Sequence, residues 1–108
     1  MTMYVRRRYI AVKVDGNKEF NGKEVFNAVW NSLTRLFGEH GASLAELSLI
    51  EYNQEKRQAI FRCSHKALDM VKASITAVTE VSNEKACLHV ARVSGTLKSL
   101  RTRTASLK

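Results

Sequence analysis

The sequence has 108 residues, a hydrophobic content of 44% and a formal charge of +8 at pH 7. This length allows one hydrophobic core and is too short for two, so we expect a single domain over residues 1–108. No apolar run approaches the roughly twenty residues of a membrane-spanning helix. The first residues do not resemble a signal peptide. The composition therefore predicts a cytoplasmic globular protein with no membrane partner.

The positive charge is concentrated at the two ends of the chain. Residues 1–13 contain Arg6, Arg7, Arg8 and Lys13 and no acidic residue. Residues 92–108 contain Arg92, Lys98, Arg101, Arg103 and Lys108, again with no acidic residue. The segment 14–91 has a formal charge of −1. Charge gathered into two runs is typical of a surface that binds a polyanion such as nucleic acid, provided that the fold brings the runs together.

The first half of the chain predicts a strand followed by a helix. Apolar and polar residues alternate from Tyr4 to Asp15, which is the two-residue period of a strand. Asn21 stands three residues before Glu24, as in a capping box. Apolar residues then recur at three- and four-residue spacing until Gly38 and Gly41, so we expect the helix to end there.

The second half predicts two strands, a helix and a final strand. Residues 44–52 and 58–63 have strand-like patterns, and the polar run 53–57 between them is typical of a hairpin loop. Ser64 is a candidate cap for the next helix, which has one apolar face formed by Leu68, Val71, Ile75 and Val78. The last strand is predicted over residues 86–93.

The order strand, helix, strand, strand, helix, strand predicts a ferredoxin-like (RRM-like) split βαβ sandwich. In this α/β fold two main helices cover one face of an antiparallel four-stranded sheet, and a short C-terminal helix or tail follows. We expect flexible ends at about 1–5 and 101–108. The first and last strands lie side by side in opposite directions, so Arg6–Arg8 and the segment from Arg92 onward should meet at one end of the sheet, the basic pole.

No catalytic or metal-binding group is predicted. His40, His65 and His89 have no partner at metal-ligand spacing, and no two carboxylates are placed to share metal ions. We expect no cofactor bound by the protein itself. Cys63 and Cys87 have no CxxC spacing, which favours reduced thiols over a disulfide.

Two candidate nucleic-acid features have alternative interpretations. The predicted third strand has only Phe61 as an aromatic residue and no glycine, so it does not form the stacking platform of an RNA-recognition motif, and Phe61 is expected in the core. Ser94-Gly95-Thr96 could direct backbone N–H groups toward an anion, or it could form an ordinary turn before a short helix.

The predicted strands carry apolar residues on both faces, although two helices can cover only one. Leu47 and Leu49 alternate with Ile50 and Tyr52, and the last strand has a similar pattern. Either an extra helix or the tail folds over the second face, or another protein or a second copy covers it. We favour a protein partner.

Three blocks of sequence are similar to a known family. They are Arg8-Tyr9-Ile10, residues 60–64 (IFRCS) and residues 88–98 (LHVARVSGTLK). From about Arg7 to Leu100 the chain resembles the Pop-five family, the component 2 protein subunits of archaeal and eukaryotic ribonuclease P. The compact length is closer to archaeal members.

The resemblance implies an accessory subunit of an endoribonuclease with no active site of its own. In such a ribonucleoprotein a catalytic RNA with bound Mg²⁺ removes the 5′ leader of precursor tRNA. The implied partners are ribonuclease P RNA, a larger TIM-barrel-like protein subunit, and precursor tRNA through the holoenzyme. The family can form a two-plus-two assembly with the larger subunit, so we also expect self-association.

Candidate RNA-binding residues come from the resemblance and from charge. The matching positions are Arg8, Arg62, Arg92, Ser94, Gly95, Thr96 and Lys98. Charge alone adds Arg6, Arg7, Arg101 and Arg103. The alternative is a ferredoxin-like RNA-binding or ribosome-associated protein with no role in processing, and a small-ligand regulatory domain or small enzyme of the same fold is a third hypothesis.

Overall fold

The computed structural model describes residues 6–96 and residue 100. Its elements are β1 (Arg7–Gly16), α1 (Gly22–Ala45), β2 (Ser48–Asn53), β3 (Gln58–Ser64), α2 (Leu68–Thr76), β4 (Glu80–Val81) and β5 (Glu84–Ser94). The strands form an antiparallel sheet in the order β2-β3-β1-β5-β4. The main core lies between the two helices and one face of this sheet. The ends predicted as flexible, 1–5 and 101–108, lie outside the described residues.

Within the described residues the sheet has five strands, so the prediction of four was wrong. The additional strand, β4, pairs with the start of β5 through Glu80 and Lys85. The turn between them contains Ser82 and Asn83, both with positive φ (52° and 66°), as tight two-residue hairpins require. β5 consequently begins at Glu84 rather than at residue 86. A two-residue strand is too short to show a two-residue period, so the pattern did not reveal it.

Helix α1 begins as predicted and ends later than predicted. The N–H of Glu24 donates to Oδ1 of Asn21 (2.8 Å), and the N–H of Asn21 donates to Oε1 of Glu24 (3.0 Å), which confirms the capping box. Gly38 interrupts the helix at φ 79° and ψ 169°, but helical backbone resumes and continues to Ala45. The strand expected from Leu44 therefore begins only at Ser48.

Ser64 does not cap a helix. It precedes a short 3₁₀ turn, His65–Ala67, but makes no side-chain capping hydrogen bond there. Its hydroxyl donates instead to the carbonyl of Leu44 (3.2 Å), at the end of α1. Ser64 thus joins the end of β3 to α1, a contact between distant segments that the local pattern could not indicate.

Two β-bulges explain much of the apparent two-sided apolar pattern. The pairing of β1 with β5 shifts between Ala11, opposite Arg92, and Val12, opposite Val90. An extra residue reverses the alternation of faces, so Val90 and Val93 both pack toward the helices. A similar shift in β2 places Leu49 and Tyr52 against the same core. The expectation that these residues alternate between the two faces was wrong.

The second face of the sheet carries a small apolar cluster that this chain itself helps to cover. Leu100 is fully buried and packs with Ala11 and Ile60, with Tyr9 and Ile50 at the margin. The N–H of Leu100 donates to the carbonyl of Thr96 (3.2 Å), as in a helical turn. The interpretation that a segment after the last strand folds over this face is therefore supported at Leu100.

Candidate nucleic-acid interface

The strand pairings bring the predicted basic residues to one end of the sheet. Arg7 lies opposite Ser64 at the end of β3, and Tyr9 lies opposite Ser94 at the end of β5. The start of β1 therefore lies between the ends of its two neighbours, and the predicted adjacency of the first and last strands is confirmed. The described candidates at this basic pole are Arg6, Arg7, Arg8, Arg62, Arg92, Ser94, Gly95 and Thr96. The candidates Lys98, Arg101 and Arg103 lie outside the described residues.

Arg6 and Arg7 form the exposed part of the pole. The carbonyl of Arg6 accepts a hydrogen bond from the N–H of His65 (2.7 Å), which fixes the backbone while both side chains remain exposed. Nη2 of Arg7 lies 3.8 Å from Oε1 of Glu46. An exposed ion pair at this distance is worth at most about 1 kcal/mol, so it constrains the Arg7 side chain only weakly.

Arg8 lies on the helix-facing side of β1, opposite Cys63. Burial raises the pKa of the Cys63 thiol to about 11, and the positive charge of Arg8 opposes that effect. The guanidinium Nη1 of Arg8 donates to the carbonyl of Arg7 (3.2 Å). Arg8 is half-buried, so it adds positive charge close to the edge of the core rather than on an open surface.

The Ser94-Gly95-Thr96 segment adopts a local turn. Oγ of Ser94 accepts a hydrogen bond from the N–H of Thr96 (3.3 Å). This contact engages one of the N–H groups that the anion-binding interpretation would use, so it favours the ordinary turn. As an acceptor in that bond, the Ser94 hydroxyl retains its own hydrogen for another partner.

Three polar candidates lie on the second face of the sheet, opposite the helices, which is called the open face below. Arg62 and Ser94 lie on either side of Tyr9, and Arg92 lies opposite Ala11. Tyr9 is half-buried there and was not predicted as a site residue. The alternation of β1 could have indicated its position, because Tyr9 directly follows Arg8 and therefore lies on the opposite face of the sheet.

The side chains of Arg62 and Arg92 share an unusual environment. Nε of each is shielded from solvent and has no hydrogen-bond partner. A buried donor without an acceptor costs about 1–3 kcal/mol, so such groups are rare in folded proteins. The sequence predicts both residues as RNA-binding candidates, but the shielded position of each Nε depends on the folded sheet and is not visible in the sequence.

Arg57 has a structural role at the opposite end of the sheet. Its guanidinium Nη1 donates to the carbonyl of Gly16, and its own carbonyl accepts from the N–H of Val14 (2.8 Å). The hairpin that contains Lys56 and Arg57 adjoins the pair of Lys13 with Gln58, far from the basic pole. The side chain of Arg57 thus holds this hairpin against the end of β1.

The described residues include no group of three or more His, Cys, Asp or Glu side chains placed to hold a metal ion. Nε2 of His89 lies 3.1 Å from Oδ2 of Asp15, an exposed pair on the open face.

Phe61 is fully buried in the main core, as predicted. Among residues 6–96, no helix is long and apolar enough to cross a membrane.

Comparison with solved structures supports this fold over nearly the whole chain. A chain in the cryo-EM structure of yeast ribonuclease MRP superposes with a TM-score of 0.71, covering 98% of this chain and 96% of that one at 12% sequence identity. At this identity the likeness concerns the fold alone.

Sequence comparison identifies the family. Ribonuclease P protein component 2 of Pyrococcus furiosus is 36% identical over 100 residues, covering 93% of this chain and 83% of that protein. Ribonuclease P protein component 2 of Methanococcus aeolicus is 31% identical, covering 93% and 73% respectively. The model of the Rpp14/Pop5 family matches residues 8–105. The chain belongs to the Rpp14/Pop5 family.

Proposed function

We propose that this protein is an accessory subunit of the ribonuclease P ribonucleoprotein and supports its RNA in removing the 5′ leader of precursor tRNA. The observation that carries the proposal is the match to the family over residues 8–105. The convergence of Arg6, Arg7 and Arg8 with the end of β5 agrees with an RNA-binding role, since the start of β1 lies beside the strand that carries Arg92.

The proposed mechanism is electrostatic support of a folded RNA. Helices of RNA repel each other through their phosphates, and arginine side chains at the basic pole would neutralise part of that charge. The chemistry of phosphodiester cleavage would be supplied by the RNA and its Mg²⁺. The described residues offer no cluster of metal ligands, so we assign no Mg²⁺ to this chain.

The architecture suits this role as a ferredoxin-like sandwich without a stacking platform. The four long strands lie in the order β2-β3-β1-β5, and β4 extends the sheet at one edge. Phe61 faces the helices and is unavailable to stack on a base. RNA recognition through phosphates and shape is therefore favoured over reading of unstacked bases.

We propose two protein partners, a larger TIM-barrel-like subunit and a second copy of this chain. The proposed location is the cytoplasm. The exposed apolar side chains that support a protein partner lie in the second half of α1 rather than on the open face of the sheet. Leu36, Phe37 and Leu44 are exposed there, at 48%, 40% and 61% of their surface. Exposed apolar side chains of this size are the kind of surface that a protein partner covers.

Copurification tests the proposed function. The tagged protein, isolated from its own cells, should bring down one structured RNA together with cleavage activity on precursor tRNA. Association with ribosomes or mixed RNA, without such activity, would favour the alternative of a structural RNA-binding protein. Reconstitution completes the test: the purified protein alone should not cleave precursor tRNA, and adding it to the RNA, the partner subunit and Mg²⁺ should raise activity.

A further inference from the structure

Two arginines on the open face of the sheet hold donors that the fold leaves unused. In the described part of the chain, three buried side-chain polar atoms lack a hydrogen-bond partner, and two of them are Nε of Arg62 and Nε of Arg92. No ion pair or hydrogen bond to another described residue engages either guanidinium group. Since buried donors are nearly always paired in folded proteins, the two groups are suited to an acceptor that comes from outside the chain.

The sheet places these arginines on either side of one strand. Arg62 on β3 lies opposite Tyr9, and Arg92 on β5 lies opposite Ala11, two residues further along β1. Their backbones are separated by two strand spacings across the sheet, about 10 Å, and by about 7 Å along it, and both side chains stand on the same face. Ser94 lies next to them, opposite Tyr9, and its hydroxyl can also donate. The donors are thus fixed by the two strands that flank β1 rather than forming a loose cluster of charge.

We propose that Arg62 and Arg92 are a directed phosphate-binding pair for RNA. Each guanidinium group would turn its Nε–H and one Nη–H toward the two free oxygens of a backbone phosphate, the bidentate arrangement that arginine provides and lysine cannot. Binding would require a side-chain rotation that exposes Nε, and the phosphate would then satisfy a donor that is unpaired in the RNA-free protein. The inference rests on the proposed RNA-binding function and deepens it, because it separates contacts that need geometry from contacts that need only charge.

The test replaces arginine by lysine, which keeps the charge and removes the Nε–H. The variant is the double substitution Arg62→Lys/Arg92→Lys, and the comparison variant is Arg6→Lys/Arg7→Lys at the exposed part of the basic pole. Binding is measured to two probes, ribonuclease P RNA from the same cells and a double-stranded RNA of unrelated sequence, over a range of salt concentrations.

The pair variant should bind at least about tenfold more weakly with little change in the salt slope, because it cannot form the charge-assisted hydrogen bonds of arginine but keeps the same number of charges. Arg6→Lys/Arg7→Lys also keeps its charges but lies at contacts that we expect to need only charge, so it should lose at least about threefold less affinity than the pair variant. Equal effects of the two double variants would overturn the directed pair. If the wild-type protein bound both RNAs equally, that result would count against the ribonuclease P function. The comparison of Arg62→Lys/Arg92→Lys with Arg6→Lys/Arg7→Lys on either RNA would still test the arginine pair.

Folding stability provides a second readout. Because neither Nε has a partner in the free protein, the lysine variants should unfold at denaturant concentrations no lower than those of the wild type. A large loss of stability in Arg62→Lys/Arg92→Lys would show that the guanidinium groups hold the fold together, and the proposal would then be wrong.

Discussion

Arg8 lies beside Gly95, although the two residues come from opposite ends of the chain. A Cβ atom on Gly95 would stand 3.4 Å from Nη1 of Arg8 and 3.9 Å from its Cζ. The neighbouring register, Tyr9 opposite Ser94, brings them together. Through this relationship the basic start of β1 and Gly95, directly after β5, share one surface.

The exposed arginines of the basic pole should contribute to RNA binding mainly through charge. We expect Arg6→Ala/Arg7→Ala to weaken binding and to lower the slope of log K against log[salt] by roughly 0.7 to 0.9 for each phosphate that the variant no longer neutralises. Filter binding at several salt concentrations measures both effects.

The matched control for that experiment is Lys18→Ala/Lys56→Ala, which removes two exposed charges from the opposite end of the sheet. Arg57 is unsuitable as a control because its guanidinium group holds the hairpin to Gly16. If the lysine control reduced affinity and slope as much as the arginine variant, the RNA would be bound by another surface.

Leu100 should stabilise the fold by covering the second face of the sheet. It is 0% exposed against Ala11 and Ile60, so Leu100→Ala should lower the free energy of unfolding by about 2–5 kcal/mol. Leu44→Ala is the control, since Leu44 is 61% exposed and its truncation should change stability by less than about 0.5 kcal/mol. Urea unfolding followed by tryptophan fluorescence measures both. If Leu100→Ala were as stable as the wild type, Leu100 would not cover this face of the sheet in solution.

Gly38 should be required for the kink in α1. Its φ of 79° and ψ of 169° fall in a region that residues with a Cβ rarely adopt, although open space surrounds the position. Gly38→Ala should therefore cost about 1–3 kcal/mol of stability through backbone strain alone. Glu39→Ala, at the exposed neighbouring position, is the comparison and should remain within about 0.5 kcal/mol of the wild type. If Gly38→Ala left stability unchanged, the backbone at this position would not have the positive φ described here.

The two cysteines should differ in reactivity. Cys63 is buried with a pKa raised to about 11, whereas Cys87 is exposed. A maleimide at neutral pH should label Cys87 in the folded protein and Cys63 only after unfolding, because the thiolate is the nucleophile. Mass spectrometry of native and urea-treated samples distinguishes these outcomes. Rapid labelling of Cys63 in the native protein would contradict its burial.

Cys63 also predicts a pH dependence of stability. Its folded pKa is raised above the ordinary value of 9.0, so between about pH 9 and 11 the unfolded chain releases this proton more readily than the folded one. The folded state then binds more protons, and stability falls as pH rises through that window. Cys63→Ala should weaken this dependence relative to Cys87→Ala when unfolding is measured from pH 8 to 11. Identical pH profiles for the two variants would exclude Cys63 as its origin.

The sequence by itself determined the features that depend on neighbouring residues. The capping box of Asn21 and Glu24 involves one turn of backbone, and the two-residue period of β1 needs no distant partner. The family was also recognisable in the sequence, because the block ending in Val93-Ser94-Gly95-Thr96 is continuous along the chain. The charges of the residues likewise located the two basic runs without any structural information.

Only the tertiary structure decided what depends on pairing between distant segments. The bulge beside Ala11 shifts Val93 onto the helix face, and Ser64 donates to Leu44 rather than capping a helix. The unpartnered Nε atoms of Arg62 and Arg92 likewise depend on the assembled sheet. Hydrophobic periodicity records which residues prefer burial, but the strand register fixes which face they occupy, and that register is set by contacts between segments far apart in sequence.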